Sequence, residues 1–169
     1  RDVLTDVRKT FPNIICVDDG SSDNSIEEAL AAGVHVAIHP INLGQGAALQ
    51  TGFDYVLQNT DAKYVVTFDA DGQHRVEDAL AMLDAADKDD LGFVFGSRFL
   101  DGKAETGLFK KIVLKTAAFV TRMRTGEKLT DAHNGLRTIR RDALSQVQIT
   151  QNRMAHASEI VYQLFDTGL

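Results

Sequence analysis

The chain has 169 residues, 44% of them hydrophobic and 25% charged, with a net charge of -6. That is one domain's worth of globular composition, long enough to bury a real core. Its single cysteine, Cys16, excludes an internal disulfide, and no apolar run approaches the length of a membrane span.

Val3, Leu4 and Val7 stand at helical spacing until Pro12-Asn13 breaks the pattern, and Ile14-Ile15-Cys16-Val17 then reads as a strand in which Cys16 is a small buried hydrophobe. The segment Asp18-Asp19-Gly20-Ser21-Ser22-Asp23-Asn24-Ser25 is dense in turn and cap residues. It opens a helix at Ile26 whose first turn is acidic and which Gly33 stops. Val34 to Ile38 alternates like a strand, and Asn42-Leu43-Gly44-Gln45-Gly46 opens a helix carrying Leu49, Phe53, Val56 and Leu57 on one face. Tyr64-Val65-Val66-Thr67-Phe68 predicts a buried strand; Val76, Ala79, Leu80 and Leu83 mark the next helix; Leu91 to Gly96 predicts a short aromatic strand. Strands alternating with helices at this spacing imply βαβ units and a mainly parallel sheet, an α/β fold in one domain over residues 1–169. The pattern then changes. A loop is predicted from Ser97 to Gly107 and a long basic and apolar helix from Leu108 to Arg124. Leu136 to Arg140 reads as a late, antiparallel strand in what would be a mixed sheet, and Ala155 to Phe165 as a last helix. No basic-then-apolar signal opens the chain. It starts at Arg1 inside a helical pattern and stops at Gly168-Leu169, so both native ends are expected to lie outside it.

Charge is unevenly spread. Residues 1–96 hold 6 basic and 17 acidic side chains, and residues 97–169 hold 12 basic and 7 acidic. An acidic front that holds a cation and a basic back that meets phosphate or an anionic surface fit together physically; solvated helix faces are the plainer reading. The sharpest acid pair follows the central strand. In Phe68-Asp69-Ala70-Asp71-Gly72-Gln73-His74 the two acids lie one residue apart, so an extended chain projects Asp69 and Asp71 to one side, at the carboxyl end where ligands bind in open α/β sheets. Two carboxylates there suit Mg²⁺ or Mn²⁺, with water and substrate phosphate completing the shell. A strand end with solvated turn acids is the alternative. Asp18-Asp19-Gly20-Ser21 ends its strand on the same rim, as a base- and phosphate-binding corner or simply as a cap and turn.

Five segments in order, Val17 to Asp23, Asn42 to Ala48, Phe68 to His74, Gly96-Ser97-Arg98-Phe99 and Asp131-Ala132-His133-Asn134-Gly135-Leu136-Arg137, resemble the motifs of family 2 glycosyltransferases. The look is nearest to polyprenyl- and dolichyl-phosphate sugar transferases and related bacterial cell-surface enzymes. The resemblance implies the GT-A fold and an inverting transfer from a nucleoside-diphosphate sugar in cell-envelope glycan synthesis. It implies nucleotide-sugar binding by Asp18, Asp19, Gly20 and Ser21, with one of the two acids on the base, by Asn42, Gly44 and Gly46, by Asp69, Ala70, Asp71 and Gln73, and by Arg137 near phosphate. Asp69 and Asp71 would hold the divalent metal, Mg²⁺ or Mn²⁺. Catalytic roles fall to Asp71, to Arg98 at donor or acceptor, and to a late acid as general base, for which Asp131 and Glu159 are the candidates. His156 and Glu159, three apart, share a helix face and could work on an acceptor proton; one solvated helix flank is the alternative. A lipid-phosphate acceptor is already an anion and requires no base.

The family's opening strand, with its proline, aromatic and Asn-Glu motif, is absent from residues 1–169. The expected partners are a nucleoside-diphosphate sugar and a lipid-phosphate or saccharide acceptor, not nucleic acid. The basic and apolar residues between Leu108 and Arg124 suit peripheral contact with an anionic membrane, from a cytoplasmic location that the lone thiol also fits; a core helix with a basic outer face is the alternative. A haloacid dehalogenase-type phosphatase would use Asp69 as nucleophile, and a phosphoacceptor receiver domain or a non-catalytic sugar-nucleotide-binding module complete the rival readings.

Overall fold

The computed structural model describes residues 2–96, 134–153 and 155–169. The expected loop from Ser97 and helix from Leu108, and with them Arg98 and Asp131, lie outside the described residues.

In chain order the elements are α1 (Asp2–Thr10), β1 (Ile15–Asp18), α2 (Ser25–Ala31), β2 (His35–Ile38), α3 (Gln45–Asn59), β3 (Tyr64–Thr67), α4 (Val76–Lys88), β4 (Phe93–Phe95), β5 (Arg137–Arg140), α5 (Arg141–Leu144) and α6 (His156–Asp166). Every element expected from periodicity in this part of the chain is present. The pairing differs from a single mainly parallel sheet. β1 and β2 pair in parallel, with Ile15 opposite His35 and Asp18 opposite Ile38. The other three strands form a second sheet in which β5 lies between β3 and β4 and runs antiparallel to both. The late strand is thus antiparallel as expected, but it enters the middle of the sheet.

The two-residue period of the strands sorts the second sheet's side chains into two layers. Val65, Phe93, Phe95 and Ile139 meet Phe53, Leu49 and Leu57 of α3, Ile160, Leu164 and Phe165 of α6, and Ala143 and Leu144 of α5. On the opposite face Tyr64, Val66, Val94 and Leu136 meet Ala79, Met82 and Ala86 of α4, with Phe11 beside them. The buried stripe of α4 therefore runs through its alanines and Met82, whereas Leu80, expected on that stripe, is exposed. Small side chains let the helix lie close to the sheet, so they take the inward positions. Within the first layer Arg141 ties α5 to α3 by donating from Nη2 to the Leu57 carbonyl, 2.7 Å away, near the end of α3.

Thr138 sits in the centre of β5 opposite Val66 and Val94, fully buried, and its Oγ1 has no hydrogen-bond partner among the described residues. A desolvated, unbonded hydroxyl costs stability. Thr138→Val keeps the shape and removes the orphaned group. We expect it to stabilise the fold by about 1 kcal/mol, a rise in melting temperature of about 2–4 °C for a chain of this size. A calorimetric melting point that falls instead would show that the hydroxyl is satisfied in solution.

Candidate functional site

β1 and β3 both end in acids, and the segment between β2 and α3 lies against both ends. Asp18 closes a turn on its own loop, Oδ1 accepting from the Gly20 and Ser21 amides at 3.1 and 2.9 Å. Hydrogen bonds from Ser21 hold its carboxyl below the usual range against the opposing effect of burial. The loop presses on Ile41 and Asn42: a Cβ on Gly20 would stand 2.7 Å from the Asn42 nitrogen.

Asp19 has a different task. Its Oδ1 accepts from the Leu43 amide at 2.9 Å and its Oδ2 from the Gly44 amide at 2.7 Å, so a carboxylate borrowed from β1 caps α3, whose own N-cap, Gly44, has no side chain. Gly44 stands at φ 102, a left-handed conformation that glycine adopts without strain. His39, buried just after β2, places Nδ1 2.8 Å from Asp19 Oδ1 and Nε2 2.9 Å from Thr51 Oγ1 on α3. Burial raises the Asp19 pKa, but the bonds from His39, Leu43 and Gly44 outweigh it and leave the group below its ordinary value. Of the two acids offered for base recognition, Asp19 therefore has both oxygens committed within the protein.

At the end of β3 the Asp69 amide donates to His74 Nδ1 at 3.0 Å. Acceptance at Nδ1 fixes the imidazole proton on Nε2, which stands 3.8 Å from Asp69 Oδ2. The Phe68 ring meets the His74 ring edge-on, with centroids 5.3 Å apart. Gln45 Nε2, from the first turn of α3, donates to Asp69 Oδ1 at 3.3 Å. One short stretch, residues 43–45, thus touches both acid clusters and confirms that they share a rim. The strand stops at Thr67, so the two acids do not sit on one extended side as expected. Asp69 is half-buried against Gly135, whereas Asp71 lies exposed in the following turn, its Oδ1 accepting from the Gln73 amide at 2.9 Å. Among the described residues no three His, Cys, Asp or Glu side chains form a metal-binding group. A hard cation at Asp69 and Asp71 would therefore complete its shell from water and phosphate, and the accessible carboxylate oxygens fit that chemistry.

Arg137, expected near a phosphate, is only 1% exposed. It lies inside the second sheet, its Nε without a hydrogen-bond partner among the described residues, and burial lowers its pKa while the charge of Asp69 raises it. Its charge and that of Asp69 influence each other, and its fork is not presented at the surface. Glu159, expected as a general base, is also otherwise employed. Its carboxylate accepts from the Thr150 amide and hydroxyl and from the Gln151 amide at 2.6–3.1 Å. Burial raises its pKa, but these bonds bring it below the ordinary value, which makes a weak base. His156 is buried, with Nδ1 on the Arg153 carbonyl. Asn42 and Gln73 are exposed on the rim, Ala70 beside them, while Gly44 and Gly46 face the 151–152 backbone. Gln45, His74 and Gly135 stand inside the motif segments without a role assigned to each from sequence, whereas His39 and Thr51 stand outside them; for His39 the available signal is a polar residue directly after β2. No helix of the described residues is long and apolar enough to cross a membrane.

A family model for glycosyl transferase family 2 matches residues 1–148. The chain is 32% identical to a UDP-N-acetylglucosamine–dolichyl-phosphate N-acetylglucosaminyltransferase of Methanococcus voltae, over 88% of this chain and 67% of that protein. It is 33% identical to a polyprenol monophosphomannose synthase of Mycolicibacterium smegmatis, over 82% of this chain and 54% of that one. It therefore spans between about half and two thirds of the length of these relatives. Among solved structures it resembles the glucosyl-3-phosphoglycerate synthase of Mycobacterium tuberculosis in complex with UDP, with a TM-score of 0.58 and 18% identity over 98% of this chain and 61% of that one, a likeness of fold.

Proposed function

We propose, on the premise that this chain belongs to glycosyl transferase family 2, that it moves a sugar from a nucleoside-diphosphate donor to a lipid-phosphate acceptor. The observation that carries this reading is the meeting of two acidic strand ends, Asp18-Asp19 and Asp69, on one segment, residues 43–45. Such a rim offers a corner for a base and a corner for a diphosphate. With Asp19 committed to α3, base recognition falls to Asp18. Asp69 and Asp71 hold a divalent cation, which when bound supplies Lewis-acid stabilisation of the departing diphosphate. Around it, Gln45 orients the Asp69 carboxylate, His74 holds the Asp69 backbone amide, and Arg137 keeps positive charge behind it.

The transfer is an in-line displacement with inversion at the anomeric carbon. The attacking oxygen bonds to that carbon as its bond to the diphosphate oxygen breaks. Glu159, one of the two acids offered as general base, has its oxygens bonded to Thr150 and Gln151, which supports an acceptor that arrives as an anion and needs no base. The relatives named for dolichyl-phosphate and polyprenol acceptors support the same choice. A lipid acceptor places the reaction at a membrane surface, in cell-envelope glycan synthesis, with peripheral contact through the basic stretch from Leu108 to Arg124. Family membership displaces the phosphatase and receiver readings.

A thermal-shift panel of UDP, GDP, CDP and dTDP, each with and without Mn²⁺, tests the donor half. One nucleotide with Mn²⁺ at a hundredfold over its dissociation constant should add about 2.7 kcal/mol. That is a rise of roughly 5–10 °C in melting temperature. A panel flat for all four nucleotides sinks the proposal.

A further inference from the structure

The segment Gln148–Asn152 has no regular secondary structure, yet four successive amides in it are bonded by side chains. Gln163 on α6 accepts from Gln148 at 2.6 Å and donates back to the Gln148 carbonyl at 2.8 Å. Gln50 on α3 accepts from Ile149 at 2.7 Å. Glu159 takes Thr150 and Gln151. A strap tied at every residue between two helices holds its shape, because each backbone donor has one fixed partner. What the strap delivers is its last two carbonyls. The Gly46 amide donates to the Asn152 oxygen at 3.0 Å. A Cβ on Gly44 would overlap the Asn152 carbonyl oxygen, and one on Gly46 would overlap that of Gln151 and stand 3.0 Å from His156 Cβ. The turn that opens α3 is therefore seated on the strap in backbone-to-backbone contact, which only glycine allows.

That same turn gives the Leu43 and Gly44 amides to Asp19 and the Gln45 side chain to Asp69. We infer that Glu159 is a positioning residue for the nucleotide site: by fixing Thr150 and Gln151 it sets the height of the Gly44–Gly46 turn, and through it the spacing of the two acid corners that receive base and diphosphate. The inference rests on the proposed donor site, and it gives Glu159 a role on the donor side of the reaction.

Two readouts on the whole chain test it. In the ligand-free protein, amide exchange in the segment containing Gly46 should speed up at least about tenfold in Glu159→Ala and less in Glu159→Gln, which keeps one acceptor oxygen, while β1 and β3 exchange as before. The affinity for the nucleoside diphosphate that stabilises the wild type should fall about tenfold in Glu159→Ala, the range seen when supporting residues behind a site are removed, with kcat changing less than KM for the donor sugar. Unchanged exchange at Gly46, or acceleration of every segment alike, overturns the inference, as does faster exchange at Gly46 with nucleotide affinity intact. Should the wild type bind no nucleotide while Gly46 still responds to Glu159, the donor reading fails, the assignment of Glu159 to nucleotide binding falls with it, and the strap's hold on the turn stands.

Discussion

Asp69→Asn should lower the transferase rate by at least about a hundredfold while the protein folds. The substitution preserves volume and removes one anionic oxygen, the group proposed to hold the cation on which the diphosphate departs. Its neighbours make the loss specific. The Asp69 amide stays bonded to His74 Nδ1 whatever the side chain, so the end of β3 keeps its course. Gln45 can still meet the remaining carbonyl oxygen. Arg137 loses the charge that offsets its burial, and this should lower the melting temperature by a few degrees without unfolding the domain. The kinetic pattern discriminates further. A residue that holds the leaving group's counter-charge should lower kcat and kcat/KM together, and raising Mn²⁺ should not restore the rate. An Asp69→Asn protein that turns over at the wild-type rate in saturating Mn²⁺ leaves no place for a cation at this corner.

The elements were legible in the sequence because their hydrophobic periods are local. Leu49, Phe53, Val56 and Leu57 mark the inner face of α3 from within fifteen residues, and β3 announces itself by β-branched residues running into acids. The order of the second sheet was not legible. β5 finds its place between β3 and β4 through pairings such as Tyr64 with Arg140 and Phe95 with Arg137, and no local pattern encodes that a late strand will enter between two earlier ones. The same limit applied to charge. Arg137 read as a phosphate contact and Glu159 as a candidate base or part of a solvated helix flank, both of which need an accessible group, as arginine and glutamate usually are. Their actual environments depend on a sheet interior and on a strap that exist only after folding. Asp19, His39 and Thr51 come from three elements far apart in the chain, so their bonded row had no spacing to betray it. What the acids would be near could be read; which of their oxygens would remain free could not.

Gly135→Ala should be nearly as damaging to turnover as Asp69→Asn, though it alters neither acid. A Cβ added at Gly135 would overlap Asp69 Oδ2 and stand 2.6 Å from Asp69 Cγ. One partner has to move, and the backbone is the less free. The Gly135 carbonyl accepts from Thr67 Oγ1 at 2.5 Å, the buried Asn134 side chain accepts from the Leu136 amide at 3.0 Å, and the Leu136 carbonyl accepts from Gly96 at 2.9 Å. The Asp69 side chain can turn about χ1 and χ2, so its carboxylate should swing away from Gly135, at a cost of about 0.5–1.5 kcal/mol for a displaced rotamer. The chemistry loses more than the fold, since a misplacement of about 1 Å in a group that positions reactants can cost on the order of a hundredfold. We expect Gly135→Ala to melt within a few degrees of the wild type, to bind Mn²⁺ and nucleotide more weakly than the wild type yet detectably, and to retain about one hundredth of its kcat. Asp69→Asn, by contrast, should show no Mn²⁺ enhancement of nucleotide binding at all. If Gly135→Ala instead works at full rate, the position of the Asp69 carboxylate is immaterial to transfer. The cation and the diphosphate would then have to be held elsewhere on the rim.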